Sequence, residues 1–306
     1  MYRAICTVLV PVDGSPFGEH ALPLAVRVAR AAGAALRVVH VFSAGSAAGD
    51  APRLLADDGW VRGQRWRRGE YLAGLARRLA TTGPRPLTTA LLDGADVAGA
   101  VCEAAAGADL VVMAHRGRGP WGRFWYGSVA ADVARRTQAP VLLVRGGEDP
   151  PDFTGGRLSR HVLVPLDGTE RGEAALGPAV ALGSLSDATH ELLHVVRAWR
   201  FAGDLARGYG GFTPLPGQTP EAEARRYLRR VANRLARQAT TVWGSVRLDD
   251  RTTAEAIARH AELTGADLIA LTAGGRGALS RLFRGSVADQ VLRRSAVLVL
   301  LCRPGK

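Results

Sequence analysis

Lysine is almost missing from this chain: of the 40 basic residues among 306, only Lys306 is not arginine. A G-x-x-x-x-G-K-[ST] phosphate loop and a Schiff-base mechanism both need a placed lysine, so both are excluded. Cysteine is scarce as well. Cys6, Cys102 and Cys302 are odd in number, widely spaced and set among apolar residues, which predicts reduced core thiols rather than disulfides or a metal cluster. Long hydrophobic runs are absent. Val8 to Val12 and Leu268 to Leu271 are strand-length and far short of the roughly 18 residues of a membrane helix. No small-residue cleavage site follows the first apolar stretch, so the expectation is a cytoplasmic chain with no membrane partner.

What is present is ordinary for a folded protein: 47% apolar and 22% charged residues with a mean hydropathy of +0.02. The length predicts two domains of roughly 100 to 200 residues each. The net charge of +12 divides into +5 for residues 1–150 (18 Arg, 13 acidic) and +7 for the rest (22 basic, 15 acidic), so there is no basic tail. A compositional preference for Ala, Gly and Arg accounts for the excess as well as a polyanionic partner does.

The chain repeats itself. Val8-Leu9-Val10-Pro11-Val12-Asp13-Gly14-Ser15 returns as Val162-Leu163-Val164-Pro165-Leu166-Asp167-Gly168-Thr169, and His40-Val41 returns as His194-Val195, all at an offset of 154. Gly117 to Arg145 aligns without a gap to Gly275 to Arg303 at an offset of 158, with 15 identities in 29 positions. Two domains follow, 1–147 and 158–306, joined by a Gly/Pro-rich linker. In the first copy strands are expected at 5–12, 35–42, 87–92, 109–114 and 140–145. Helices are expected at 17–32, about 65–82, 95–106 and 128–137, with a Gly/Pro-rich loop over 45–70. Apolar strands joined by helices mean right-handed crossovers and a parallel sheet covered on both faces. The predicted fold is α/β: two doubly wound, Rossmann-like, five-stranded parallel-sheet domains. In such sheets a ligand sits beyond the carboxyl ends of the strands where the winding reverses, which directs attention to the loops after strands 1 and 4.

The first of these loops reads Asp13-Gly14-Ser15-Pro16, a carboxylate at the strand end and then a Ser N-cap with Pro at N1. Ser15 and Thr169 are expected to be caps; Asp13 and Asp167 are ligand candidates. The second loop contains Ala114-His115-Arg116-Gly117, nine residues, and then Gly127-Ser128-Val129 opening a helix whose free N–H groups suit a phosphate. Arg116 and Arg118 could offset its charge.

With these residues the chain resembles the universal stress protein family, whose nucleotide-binding members carry G-x2-G-x9-G-[ST] here. The spacing occurs twice, as Ala114-x2-Gly117-x9-Gly127-Ser128 and as Thr272-x2-Gly275-x9-Gly285-Ser286, with the first Gly replaced in both copies. The resemblance spans nearly the whole chain. It implies ATP or another adenine nucleotide as ligand, with or without magnesium. The expected contacts are Pro11, Val12, Asp13, Val41, Ala114, Arg116, Gly117, Arg118, Gly127, Ser128 and Val129 in the first copy. In the second they are Pro165, Leu166, Asp167, Val195, Thr272, Gly275, Arg276, Gly285, Ser286 and Val287. Family members commonly dimerise through the last strand, so a pseudo-dimer of the two domains within one chain is expected, with a homodimer as the further option.

Other motifs compete. Gly117 to Gly122 spells G-x-G-x-x-G but follows the fourth strand, not the first, which disfavours a dinucleotide fold. His190-Glu191-Leu192-Leu193-His194 spells the H-E-x-x-H of zinc proteases, yet the repeat puts it on a strand. There, at roughly 3.3 Å per residue, the histidines stand about 13 Å apart, too far to share one zinc. Arg225, Arg226, Arg229, Arg230, Arg234 and Arg237 line one half of a helix whose other half is Tyr227, Leu228, Val231 and Leu235; a solvated face is the default and nucleic acid is not the expected partner. No nucleophile–base set or G-x-S-x-G elbow is evident, so a binding module is expected. The alternatives are a slow ATPase or nucleotidyl-transfer enzyme, and an interaction module with vestigial pockets.

Overall fold

The computed structural model describes residues 4–43, 58–81, 83–84, 86–116, 128–147, 158–197, 219–237, 241–273 and 287–304. The chain divides into two compact units, within 3–158 and 159–306. Each is an α/β unit with a parallel sheet.

The first unit runs β1 (Thr7–Pro11), α1 (Pro16–Glu19), α2 (Ala21–Ala32), β2 (Ala35–Phe42), α3 (Asp58–Ala80), β3 (Leu87–Asp93), α4 (Val97–Ala105), β4 (Leu110–Arg116), α5 (Ser128–Arg136) and β5 (Val141–Gly146). Its strand order is β3-β2-β1-β4-β5 with every ladder parallel. Val8, Leu9 and Val10 are consecutive and fully buried, as strands covered on both faces must be.

The second unit runs β6 (His161–Pro165), a 3₁₀ turn (Gly172–Ala175), α6 (Leu176–Gly183), β7 (Thr189–Arg197), α7 (Pro220–Leu235), β8 (Thr241–Asp249), α8 (Thr253–Thr264), β9 (Leu268–Thr272), α9 (Val287–Arg294) and β10 (Leu298–Cys302). Its strands follow the same pattern, β8-β7-β6-β9-β10, again all parallel. In each unit the winding reverses between the first strand and the fourth.

Three expectations need correction. The single helix over 17–32 is two, α1 and α2, because Pro23 lacks the N–H that would bond to the Glu19 carbonyl four residues back. Pro178 imposes a related break in the second unit, where a 3₁₀ turn precedes α6. The third helix begins at Asp58, inside the stretch expected to be loop; its glycines lower helix propensity, but Arg65 pairs with Asp93 and Tyr71 and Arg78 bond to Glu19, anchoring it on the rest of the unit. Cysteine burial also differs. Cys302 is buried, Cys102 is intermediate, and Cys6 is exposed, just ahead of β1 and next to buried Ile5.

Candidate functional site

At the end of β1 the carboxylate folds back over its own turn. Asp13 Oδ1 accepts from the Ser15 N–H at 2.9 Å and from the Ser15 hydroxyl at 2.6 Å, and Ser15 Oγ accepts from the Gly18 N–H at 3.1 Å, capping α1. The end of β6 repeats this almost atom for atom. Asp167 Oδ1 accepts from Thr169 N–H at 3.0 Å and from its hydroxyl at 2.6 Å, and Thr169 Oγ1 accepts from Gly172 N–H at 3.1 Å. Gly14 and Gly168 hold the turns at φ +82°, which a side chain would strain. Ser15 therefore caps α1, Thr169 makes the matching bond just ahead of the 3₁₀ turn whose N-cap position is Arg171, and the bonds of each turn use the aspartate Oδ1 rather than Oδ2. Gly18 and Gly172, not singled out in the sequence, are required as well: a Cβ on either would collide with the aspartate Oδ1.

Behind each turn stands a second, duplicated cluster. Buried Glu19 accepts from the Tyr71 hydroxyl at 2.9 Å and from Arg78 at 2.5 Å, tying α1 to α3. Glu173 likewise accepts from the Tyr227 hydroxyl at 3.0 Å and from Arg234. His40 meets Tyr71 edge-on with ring centres 6.1 Å apart, and His194 meets Tyr227 at 6.3 Å. Burial lowers the basicity of His40, with the Arg68 charge adding to the effect, and burial does the same to His194. Burial and the Glu19 carboxylate push the Tyr71 phenol well above its ordinary range; burial and Glu173 do so for Tyr227. The neutral imidazole and phenol form a rigid wall beside the aspartate. Arg234 and Arg225 stay exposed, as expected of a solvated helix face, while Arg234 pairs there with Glu173 and Arg225 with Glu221 at 2.5 Å.

Of the other candidates, Pro11, Pro165, Val41, Val195, Ala114 and Val129 are half-buried near the carboxyl ends of the strands or at the start of α5. Val12 and Leu166 are buried, and their N–H groups bond to Val39 O and Leu193 O at 2.8 Å, so they form the floor of the turn. Val287, at the start of α9, is exposed. Gly117, Arg118, Gly127, Gly275, Arg276, Gly285 and Ser286 lie outside the described residues, as do the side chains of Arg116 and Ser128.

Thr272 marks the difference between the units. Its hydroxyl donates to Gly172 O at 2.8 Å and accepts from Ala175 N–H at 3.1 Å, clamping the end of β9 to the 3₁₀ turn after β6. Ala114, at the matching place, has no hydroxyl. Thr272→Val keeps the shape but leaves an N–H and a carbonyl unsatisfied. It is expected to destabilise the second unit by about 1 to 3 kcal/mol, read as a lower urea midpoint in the full chain. An unchanged midpoint would show that the clamp contributes nothing.

The H-E-x-x-H segment lies on β7, and its members part company there. His190 sits 3.4 Å from Ala179 O on α6, and His194 is against Tyr227 on α7. Glu191, on the other face, bonds to His260 Nε2 of α8 at 2.7 Å and lies 3.1 Å from His161 Nε2, close enough for an ion pair though off line for a hydrogen bond. Among the described residues no group of three or more His, Cys, Asp or Glu is arranged to hold a metal ion, and no helix is long and apolar enough to cross a membrane.

Two doubly wound parallel sheets, each with an Asp-Gly-Ser/Thr turn at the point where the winding reverses, define a tandem α/β protein. The universal stress protein family model matches residues 5–145 and again 159–303, and the chain belongs to that family. A Thermus aquaticus universal stress protein is 35% identical over 141 residues, which is 45% of this chain and 98% of that protein. A Mycobacterium tuberculosis universal stress protein is 29% identical over 204 residues, 64% of this chain and 62% of that protein, so the match spans less than two thirds of the mycobacterial relative. The crystal structure of a universal stress protein from Archaeoglobus fulgidus has the same fold, at a TM-score of 0.70 and 19% identity, covering 98% of this chain and 97% of that one.

Proposed function

We propose that this chain binds an adenine nucleotide, ATP or a close relative, and acts as a cytoplasmic stress-response module whose conformation or partners follow ligand occupancy. The observation that carries the reading is the duplicated carboxylate turn where the winding reverses, beside the strand whose following helix opens at Ser128. Asp13 spends one oxygen on its turn, which suits a fixed ligand contact better than a mobile acid or base, so hydrolysis is at most slow. Two copies in one chain supply a pair of sites without a second polypeptide. Mass spectrometry of small molecules released from the purified, denatured chain tests the reading: an adenine nucleotide is expected, and a different class of ligand would overturn it.

The first site is the tighter. Thr272 has both hydrogen-bonding roles of its hydroxyl committed to the Gly172–Ala175 turn, and neutral Gly274 stands where the first copy has Arg116. Losing one charge-assisted phosphate contact costs about 1.5 to 3 kcal/mol, roughly tenfold or more in affinity. ATP titrations of chains carrying Gly285→Val or Gly127→Val, with and without magnesium, isolate the two sites. Equal dissociation constants, or tighter binding at the second site, would overturn the ranking.

A further inference from the structure

Arg68 stands on α3, half-buried, with Nη1 3.3 Å from where a Cβ on Gly14 would lie and His40 Cε1 3.8 Å from the same point. Its guanidinium therefore hangs over the turn that carries Asp13. The neighbouring arginines of α3 are spoken for: Arg65 pairs with Asp93 and Arg78 with Glu19. Arg68 has no such carboxylate partner among the described residues. A half-buried cation without a counter-ion is costly unless something anionic completes it. Asp13 lies on the same turn, yet among the described residues no ion pair joins it to Arg68.

The second unit lacks this charge. Tyr71 corresponds to Tyr227 and Arg78 to Arg234, both at an offset of 156, which places Ala224 opposite Arg68. Ala224 is 5% exposed and uncharged. The two turns are thus alike in their carboxylates, glycines and aromatic walls; besides the Thr272 clamp in the second, they differ in one guanidinium.

Resting on the nucleotide reading above, we propose that Arg68 is a ligand-contacting residue of the first site, supplying a charge-assisted contact to a phosphate oxygen, and that it makes this site prefer phosphorylated adenine nucleotides over adenosine. The forked, permanently charged guanidinium suits phosphate oxygens and offers nothing comparable to an uncharged nucleoside.

The test is calorimetry on the full chain carrying Gly285→Val to silence the second site, comparing Arg68→Ala and Arg68→Lys with their parent, each titrated with ATP and with adenosine. Arg68→Ala is expected to weaken ATP about tenfold or more while changing adenosine affinity less than twofold, with Arg68→Lys in between. Unchanged ATP affinity in Arg68→Ala would overturn the assignment while leaving the nucleotide reading standing. An equal loss for ATP and adenosine would overturn it too, since Arg68 would then shape the pocket rather than bind phosphate. A parent chain that binds neither ligand would overturn both readings together.

Discussion

Gly127→Val is expected to abolish ATP binding at the first site and leave the chain folded. Gly127 immediately precedes α5, and the first turn of a helix offers N–H groups without helical partners and the positive end of its dipole. A phosphate reaches those groups only past bare backbone, and a branched side chain at this position blocks the approach. Several charge-assisted contacts would be lost together, each about 1.5 to 3 kcal/mol, so affinity should fall by more than about a hundredfold. Calorimetry on a variant with an unchanged circular-dichroism spectrum checks this. Undiminished affinity would show that this loop does not hold the phosphate.

The second large effect concerns the buried group at the other end of the second sheet. Glu191 is 2% exposed and meets His260 and His161, whose ring packs 5.3 Å from Trp243. His161 Nδ1 lies 3.3 Å from the Thr264 carbonyl while its Nε2 faces the carboxylate. Both nitrogens thus face acceptors, which favours the imidazolium. The Glu191 carboxylate 3.1 Å away raises the His161 pKa, with Asp267 adding to it. Burial alone would raise that of Glu191, but the close approach of His161 and the hydrogen bonds from His260 and Ser245 together hold it far below its ordinary range.

The two contributions to stability have opposite pH limits. That of His161 is complete below its ordinary 6.5 and is lost as pH rises through the raised value. That of Glu191 is present above its ordinary 4.5 and is lost as pH falls through the lowered value. Glu191→Gln should therefore cost most between about pH 4.5 and 6.5, about 2 kcal/mol, and progressively less at higher pH. His40, His190 and His194 have lowered pKa values, so their stability is present above 6.5 and lost as pH falls. None of the three contacts Glu191, although His190 feels the His161 charge weakly, so the difference in melting temperature between wild type and variant reads mainly the Glu191 share. A difference that is flat from pH 5 to 9 would contradict the assignment.

The strands, the doubly wound order and the carboxylate turns were legible because their signals are local and occur twice. Asp13-Gly14-Ser15 and Asp167-Gly168-Thr169 carry their own hydrogen bonds within six residues, so composition and spacing suffice. The clusters behind them were not, because Glu19 meets Arg78 and Glu173 meets Arg234 about sixty residues away, across a stretch where the repeat offset passes from 154 through 156 to 158. The H-E-x-x-H spelling drew the eye to His190 and His194. The partners of Glu191 are instead His161 and His260, which only parallel pairing of β6 with β7 and the packing of α8 bring near. In the first unit Arg37 and Cys102 stand at the places of Glu191 and His260, so the repeat gave no warning. Pro23 was visible, but an apolar helix pattern running through it concealed the break between α1 and α2. The apolar neighbours of Cys6 suggested burial, but it lies just ahead of β1 and is exposed.

The central expectation is that the intact wild-type chain takes up an adenine nucleotide. Isothermal titration of the purified, nucleotide-stripped full chain with ATP measures this. The account predicts saturable binding with one tighter site, assigned to the first domain by its disappearance in Gly127→Val. Absence of saturable heat with ATP, ADP, AMP and adenosine alike would contradict it.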